Sequence, residues 1–139
     1  MTVLLDTGAV FAFLHADDTR HGEAVQLMTR IARREFGAPL INDHAVDELF
    51  VLVRVRTGSS QLEEAVRRFL PLPTPMLRGL SMVSLGTSLI APAWEVFRRY
   101  RDQGLSFTDA GLIVTMKEFR IDRLATFDRR LSRLVPIAE

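Results

Sequence analysis

Cysteine is absent from these 139 residues, which excludes disulfides, thiolate nucleophiles and cysteine-bound zinc, so any metal must be held by oxygen or histidine. Lysine is nearly absent too. Lys117 stands alone among 18 basic residues, and the rest are arginine, whose planar fork suits phosphate oxygens better than an ammonium does. A genomic preference for arginine codons explains the same bias. Net charge is also missing, because 18 basic and 17 acidic side chains leave only +1 and give no overall attraction to a polyanion. The longest apolar runs, Ala9 to Leu14 and Leu49 to Val53, fall far short of the roughly 20 residues of a membrane span. Met1-Thr2-Val3 has no basic opening of a secretion signal, so the expectation is a soluble, cytoplasmic protein with no membrane partner.

What is present suits one packed domain over residues 1–139, with 47% apolar content for its core. Thr2 to Leu5 reads as a buried strand and Ala9 to Leu14 as a short helix, followed by an amphipathic helix from His21 to Arg34. Ala38 to Ile41 makes a second strand, and Asn42 or Asp43 caps a helix that stops at Gly58. Ser60-x-x-Glu63 has the pattern of a capping box for a helix through Phe69, and the proline-rich Leu70 to Pro75 is a loop. Further expectations are a strand at Met82 to Leu85, a helix from Leu89 to Gln103 capped by Ser88, and a helix opened by Ser106-x-x-Asp109. Arg123 to Phe127 reads as a fourth strand and Val135 to Ile137 as a possible last one. Short apolar strands alternating with amphipathic helices indicate an α/β fold, with a mostly parallel sheet of four to five strands covered on both faces.

In such sheets the functional crevice lies beyond the carboxyl ends of the strands. Asp6 and Asp128 each close a strand, while Asp109 opens a helix and Glu48 lies one turn inside another, so all four are candidates for one pocket. Each has an ordinary explanation alone: Asp6 and Asp109 as helix caps, Asp128 as a turn residue, Glu48 as a solvated helix residue. Gathered at about 5 Å they would repel by about 3 kcal/mol per pair at an effective dielectric near 20, and a dication removes that cost. Oxygen-only ligands select Mg2+ or Mn2+, which usually keep several waters and bind phosphates. The reaction that follows is phosphoester hydrolysis. Thr7, Thr108 and Thr126 flank the acids and are supporting candidates through their hydroxyls; capping explains them as well. His15, His21 and His44 lack the i, i+4 spacing of a helical zinc pair. Arg54, Arg56, Arg129 and Arg130 are the candidate phosphate contacts.

Leu5-Asp6-Thr7-Gly8-Ala9, Asp17 to His21 with Ala24, Asp47-Glu48-Leu49, Leu105-Ser106-Phe107-Thr108-Asp109-Ala110 and Leu124-Ala125-Thr126-Phe127-Asp128 recur in order over nearly the whole chain. In this the sequence resembles the PIN-domain ribonucleases, and most of all the VapC-type toxins of toxin–antitoxin modules. The resemblance implies a three-layer α/β/α fold and an endoribonuclease that cleaves single-stranded RNA. Its Mg2+ or Mn2+ would sit on Asp6, Glu48, Asp109 and Asp128. It also implies a homodimer and a cognate antitoxin. The apolar stretches at Ala9 to Leu14 and Val46 to Val53 are mainly core, with some surface for a partner. Gly8 departs from the serine common at its place, and Leu70 to Pro75 matches no motif of the family.

Three other readings are weighed against this one. Asp6-Thr7-Gly8 also matches the active-site string of retroviral-type aspartic proteases, but those are nearly all-β and glycine-rich, unlike a chain with at least four amphipathic helices and eight glycines. A regulatory module that binds RNA or a partner without cutting would not need all four acids. A phosphate-accepting receiver domain expects paired acids after its first strand and a late lysine, and has neither here.

Overall fold

The computed structural model describes every residue from Met1 to Glu139. Four parallel strands form its sheet: β1 (Thr2–Leu5), β2 (Ala38–Asn42), β3 (Ser81–Val83) and β4 (Arg123–Ala125), in the order β3-β2-β1-β4. The expected fifth strand is a single parallel bridge between Leu124 and Ile137, too short to count as a strand. Seven helices surround the sheet: α1 (Thr7–Leu14), α2 (His21–Ala32), α3 (Asp43–Thr57), α4 (Ser60–Phe69), α5 (Ile90–Arg99), α6 (Phe107–Glu118) and α7 (Arg129–Ser132).

Alternation along β1 decides the layering. Val3 and Leu5 point to one face, into a cluster with Val10, Ile31, Leu49, Val53 and Phe69 from α1 to α4. Leu4 points to the other, with Leu112 and Met116 of α6, Leu124 and Leu131. All three β1 side chains are fully buried, so the strand is lined by helices on both sides and the fold is the expected three-layer α/β/α. No helix is long and apolar enough to cross a membrane.

The connectivity explains where a site can form. From β1 the chain steps outward to β2 and then to β3, after which it returns across the sheet through α5 and α6 to lay β4 against the free edge of β1. The direction of winding therefore reverses between β1 and β4, and the connections leaving those two strands diverge to open a crevice at their carboxyl ends. Register then places residues: Leu5 pairs with Ala125, and the Asp6 amide donates to the Ala125 carbonyl at 3.1 Å. The two positions just beyond, Asp6 and Thr126, consequently face each other across the crevice mouth.

Element boundaries differ from the sequence expectation most at α4, α5 and β3, and β4 stops at Ala125 instead of Phe127. α4 is capped by Ser59, whose hydroxyl accepts from the Leu62 amide at 3.1 Å, and not by Ser60. Gly58 ends α3 in the left-handed conformation (φ 59°), which turns the chain so that Ser59 is the extended residue at the helix entrance. Glu63 is thereby freed from capping and pairs with Arg54 at 2.8 Å. The long helix expected from Leu89 to Gln103 is a 3-10 turn at Thr87–Leu89, then α5, then a second 3-10 turn at Arg101–Gln103, and Ser88 makes no cap. β3 ends at Val83, because the Leu85 amide and the Ser84 hydroxyl both donate to Asp43 at the start of α3 instead of extending a ladder.

Candidate functional site

Four of the elements deliver carboxylates to one open cleft of about 440 Å³ at the carboxyl ends of β1 and β4. Asp6 occupies the N-cap position of α1, yet its side chain makes no capping hydrogen bond. It is 7% exposed, and its Oδ2 accepts from Thr126 Oγ1 at 2.6 Å. Thr126 Oγ1 in turn accepts from the Asp128 amide at 3.0 Å, so one hydroxyl ties the two strand-end acids together. Thr7 turns the other way, its hydroxyl donating to the Ala45 carbonyl at 3.4 Å, and so fastens α1 to α3. Thr108 hydrogen-bonds to none of the acids and does not line the cleft, because the first turn of α6 points it elsewhere.

Asp109 closes a reciprocal cap with Ser106. The Asp109 amide donates to Ser106 Oγ at 3.0 Å, and the Ser106 amide donates to Asp109 Oδ2 at 2.9 Å. The carboxylate is held at the mouth of the cleft by its own helix, with Oδ1 left free of any protein hydrogen bond. Glu48 has no ion pair or hydrogen bond. It shares one face of α3 with Leu52 and Arg56, at intervals of four residues, and all three line the cleft.

Asp128 is held differently. It caps α7 through the Arg130 amide at 2.8 Å, and both of its oxygens receive the Arg130 guanidinium, at 3.1 Å and 2.7 Å. Arg130 also donates to the Gly104 carbonyl at 2.7 Å and approaches Asp109 at 3.8 Å. It spans the cleft wall and holds the Asp128 carboxyl below the usual carboxylate range.

Asp6 shifts in the opposite direction. Burial pushes its pKa up to about 7 against the lowering effect of the Thr126 hydrogen bond, and the charges of Asp109 and Glu48 add to the rise. Asp6, Asp109 and Glu48 thus interact electrostatically, and although Arg130 acts on Asp6 and Asp109 across the cleft, no cation forms an ion pair with Asp6. Five acidic and three basic side chains line the cleft, a formal charge of −2 when all are ionised. The acids do not collapse onto one point, since no three acidic or histidine side chains stand close enough to grip an ion directly. An oxygen-only donor set around open, water-accessible space fits a hard dication that keeps part of its water shell.

A family model for the PIN domain matches residues 3–135. The chain belongs to the PIN-domain family. Among solved structures this PIN domain is similar to VapC20 of Mycobacterium tuberculosis, described as a toxin that cleaves the sarcin-ricin loop. The two superpose with a TM-score of 0.82 over 99% of this chain and 98% of the other, at 23% sequence identity, which establishes a common fold. No curated protein matches this chain in sequence.

Sequence reasoning missed Asp18 and Arg20, which reach the cleft from the loop between α1 and α2. That loop is fixed by the Arg20 amide donating to Asp18 at 2.8 Å and by His21 Nδ1 meeting the Ala12 carbonyl at 2.8 Å. Its Asp17-to-His21 string was the available signal. Of the four arginines singled out, only Arg56 and Arg130 line the cleft. Arg54 is committed to Glu63, and Arg129 lines a neighbouring depression.

Proposed function

We propose that this PIN domain is an endoribonuclease dependent on Mg2+ or Mn2+, and that it serves as the toxin of a toxin–antitoxin pair. One observation carries the reading: a buried carboxylate at the topological switch point, pushed to a pKa of about 7, that faces two further acids and makes no ion pair of its own. A protein has little reason to keep such a group unless something doubly positive sits beside it.

Asp6, Asp109 and Glu48 are the residues that would hold the metal, some of them through water, with Asp128 at the cleft rim. When bound, the metal supplies a lowered pKa for water and charge stabilisation on the departing oxygen. The chain's own groups do the rest. Thr126 locks the Asp6 carboxylate in orientation, and the Ser106–Asp109 cap does the same for Asp109, so the acids are positioned before substrate arrives. Arg130 keeps Asp128 ionised and anchors the Gly104 turn that forms one lip of the cleft.

VapC20 is described as cutting the sarcin-ricin loop, so that loop is the first substrate to try. Surface apolar groups support partner binding: Val51 and Val55 on α3 are 55% and 78% exposed, and Trp94 on α5 is 52% exposed. An antitoxin and a second copy of the chain are the partners proposed for them, with action in the cytoplasm. The deciding experiment incubates purified protein with RNA, with and without EDTA, and maps the new ends by sequencing. Cleavage that requires Mg2+ or Mn2+ and disappears in Asp6→Asn is the expected result; metal-independent cleavage, or none by the wild type, would refute the proposal.

A further inference from the structure

The acid cleft does not stand alone on the surface. A depression of about 490 Å³ between the end of α1 and the start of α4 adjoins it, and a third of about 360 Å³ lies between α2 and α7. Neighbouring depressions share walls. Arg56 belongs to the first and to the acid cleft, while Arg20, Phe127 and Asp128 belong to the acid cleft and to the third. The three therefore form one continuous track with the carboxylates at its midpoint and an arginine at each junction.

Those arginines are available. Arg56 forms no ion pair and lies 5.8 Å from the centre of the Phe11 ring. Arg20 lies 5.5 Å from the centre of the Phe127 ring, and its one ionic partner is the exposed Glu23 at 3.4 Å, a contact that competes poorly with a phosphate. Arg129, an exposed residue lining the third depression, forms no ion pair with an acidic side chain. By contrast Arg54, Arg67, Arg98 and Arg130 are held by Glu63, Glu64, Glu95 and Asp128. An aromatic ring behind a guanidinium holds it flat and leaves its outer face and edge for a base or a phosphate. The carboxylates at the midpoint repel a polyanion, so a nucleic acid crossing them must be gripped on both flanks.

Building on the nuclease reading above, we infer that Arg56 on one side of the acids, and Arg20 with Arg129 on the other, are positioning residues that hold the backbone of single-stranded RNA along this track. A single strand suits it, because its bases are free to stack on the ring-backed guanidiniums as the backbone follows the depressions.

The test measures binding apart from cleavage. Asp6→Asn protein is titrated with a fluorescein-labelled single-stranded RNA oligonucleotide in Mg2+ buffer across a salt series. Arg56→Ala, Arg20→Ala and Arg129→Ala should each weaken binding about five- to tenfold and lower the log–log salt slope by about 0.7. Arg56→Lys should restore the slope, which a merely structural role would not do. Arg33→Ala and Arg99→Ala, outside the track, should match the parent. Unchanged affinity and slope in the three track variants, or equal losses in the two controls, would overturn the inference. So would equal affinity for duplex RNA, or displacement of the oligonucleotide by polyglutamate at matching strength, which would assign the track to an acidic protein partner. A wild type that binds in this pattern but never cuts would sink the nuclease reading and leave the track standing.

Discussion

Asp6→Asn should make the metal-free protein more stable at neutral pH, and the size of the gain follows from the burial of that carboxylate. Asp6 has an ordinary pKa of 3.8 and is raised to about 7 in the fold. Between those values the native state holds a proton that the unfolded chain has released, so wild-type stability falls as pH rises from about 4 to 7, by about 1.4 kcal/mol per pH unit. Above pH 7 the full penalty is in force, with a ceiling of about 4 kcal/mol from a shift of just over three units. Water reaching the 7% of Asp6 that stays exposed lowers that figure, and a gain of about 2 kcal/mol is expected. Asparagine keeps an oxygen to accept from Thr126 and carries no charge. Urea unfolding in EDTA at steps from pH 4.5 to 8.5 measures the effect, and the difference between variant and wild type cancels every other titrating group. The difference should open with pH, from near zero at the acid end. At pH 8, Mg2+ should then stabilise the wild type, by about 2.7 kcal/mol at a hundredfold excess over its dissociation constant, and the variant much less. Parallel curves for the two proteins, with no divergence between pH 4.5 and 8.5, would refute the claim that burial raises the Asp6 pKa.

Thr126→Val removes both the donor to Asp6 and the acceptor for the Asp128 amide; a loss of about 1–3 kcal/mol in chemical denaturation and a large fall in RNA cleavage are expected, with Thr126→Ser recovering most of each. Arg130→Ala should raise the Asp128 pKa toward its ordinary value, visible by NMR titration of the side-chain carboxyl. Because a depressed carboxyl stabilises the fold above its unfolded pKa and loses that contribution in acid, the variant's deficit relative to wild type should shrink as pH falls below about 4. Gly8→Ala should be tolerated, since a Cβ there meets no atom within 4 Å, and thermal denaturation should show a gain of up to about 1 kcal/mol from a stiffer first turn of α1.

Much of the scaffold was readable because the local signals agreed. The strand at Thr2–Leu5 is one apolar run, α2 has a clear apolar period and α3 buries Ala45, Leu49 and Val53 at intervals of four, while α6, buried nearly all round, was marked by its Ser106–Asp109 reciprocal cap. Errors arose where neighbouring residues offered the same local chemistry. Ser59 and Ser60 are equally good caps by type, and only the backbone turn at Gly58 selects the first. Val135 to Ile137 has strand composition, but it runs beside Leu124 for one bridge before the chain ends its pairing. The acids could be singled out because strand ends and helix starts mark positions near a sheet edge. What no local pattern revealed was that Arg130 would span from Asp128 to the Gly104 turn, or that the loop at Asp18 and Arg20 would fold back over the same cleft, since both depend on packing between distant segments.

Asp6 and Thr126 are 120 positions apart, yet one hydroxyl joins them across adjoining strands. The segment that carries Thr126 and Asp128 follows β4 and is the last part of the chain to join the sheet's edge in sequence order. The orientation of Asp6 is set only when residues 123–126 pair along the waiting edge of β1, so this carboxylate reports whether the first and last parts of the chain have met.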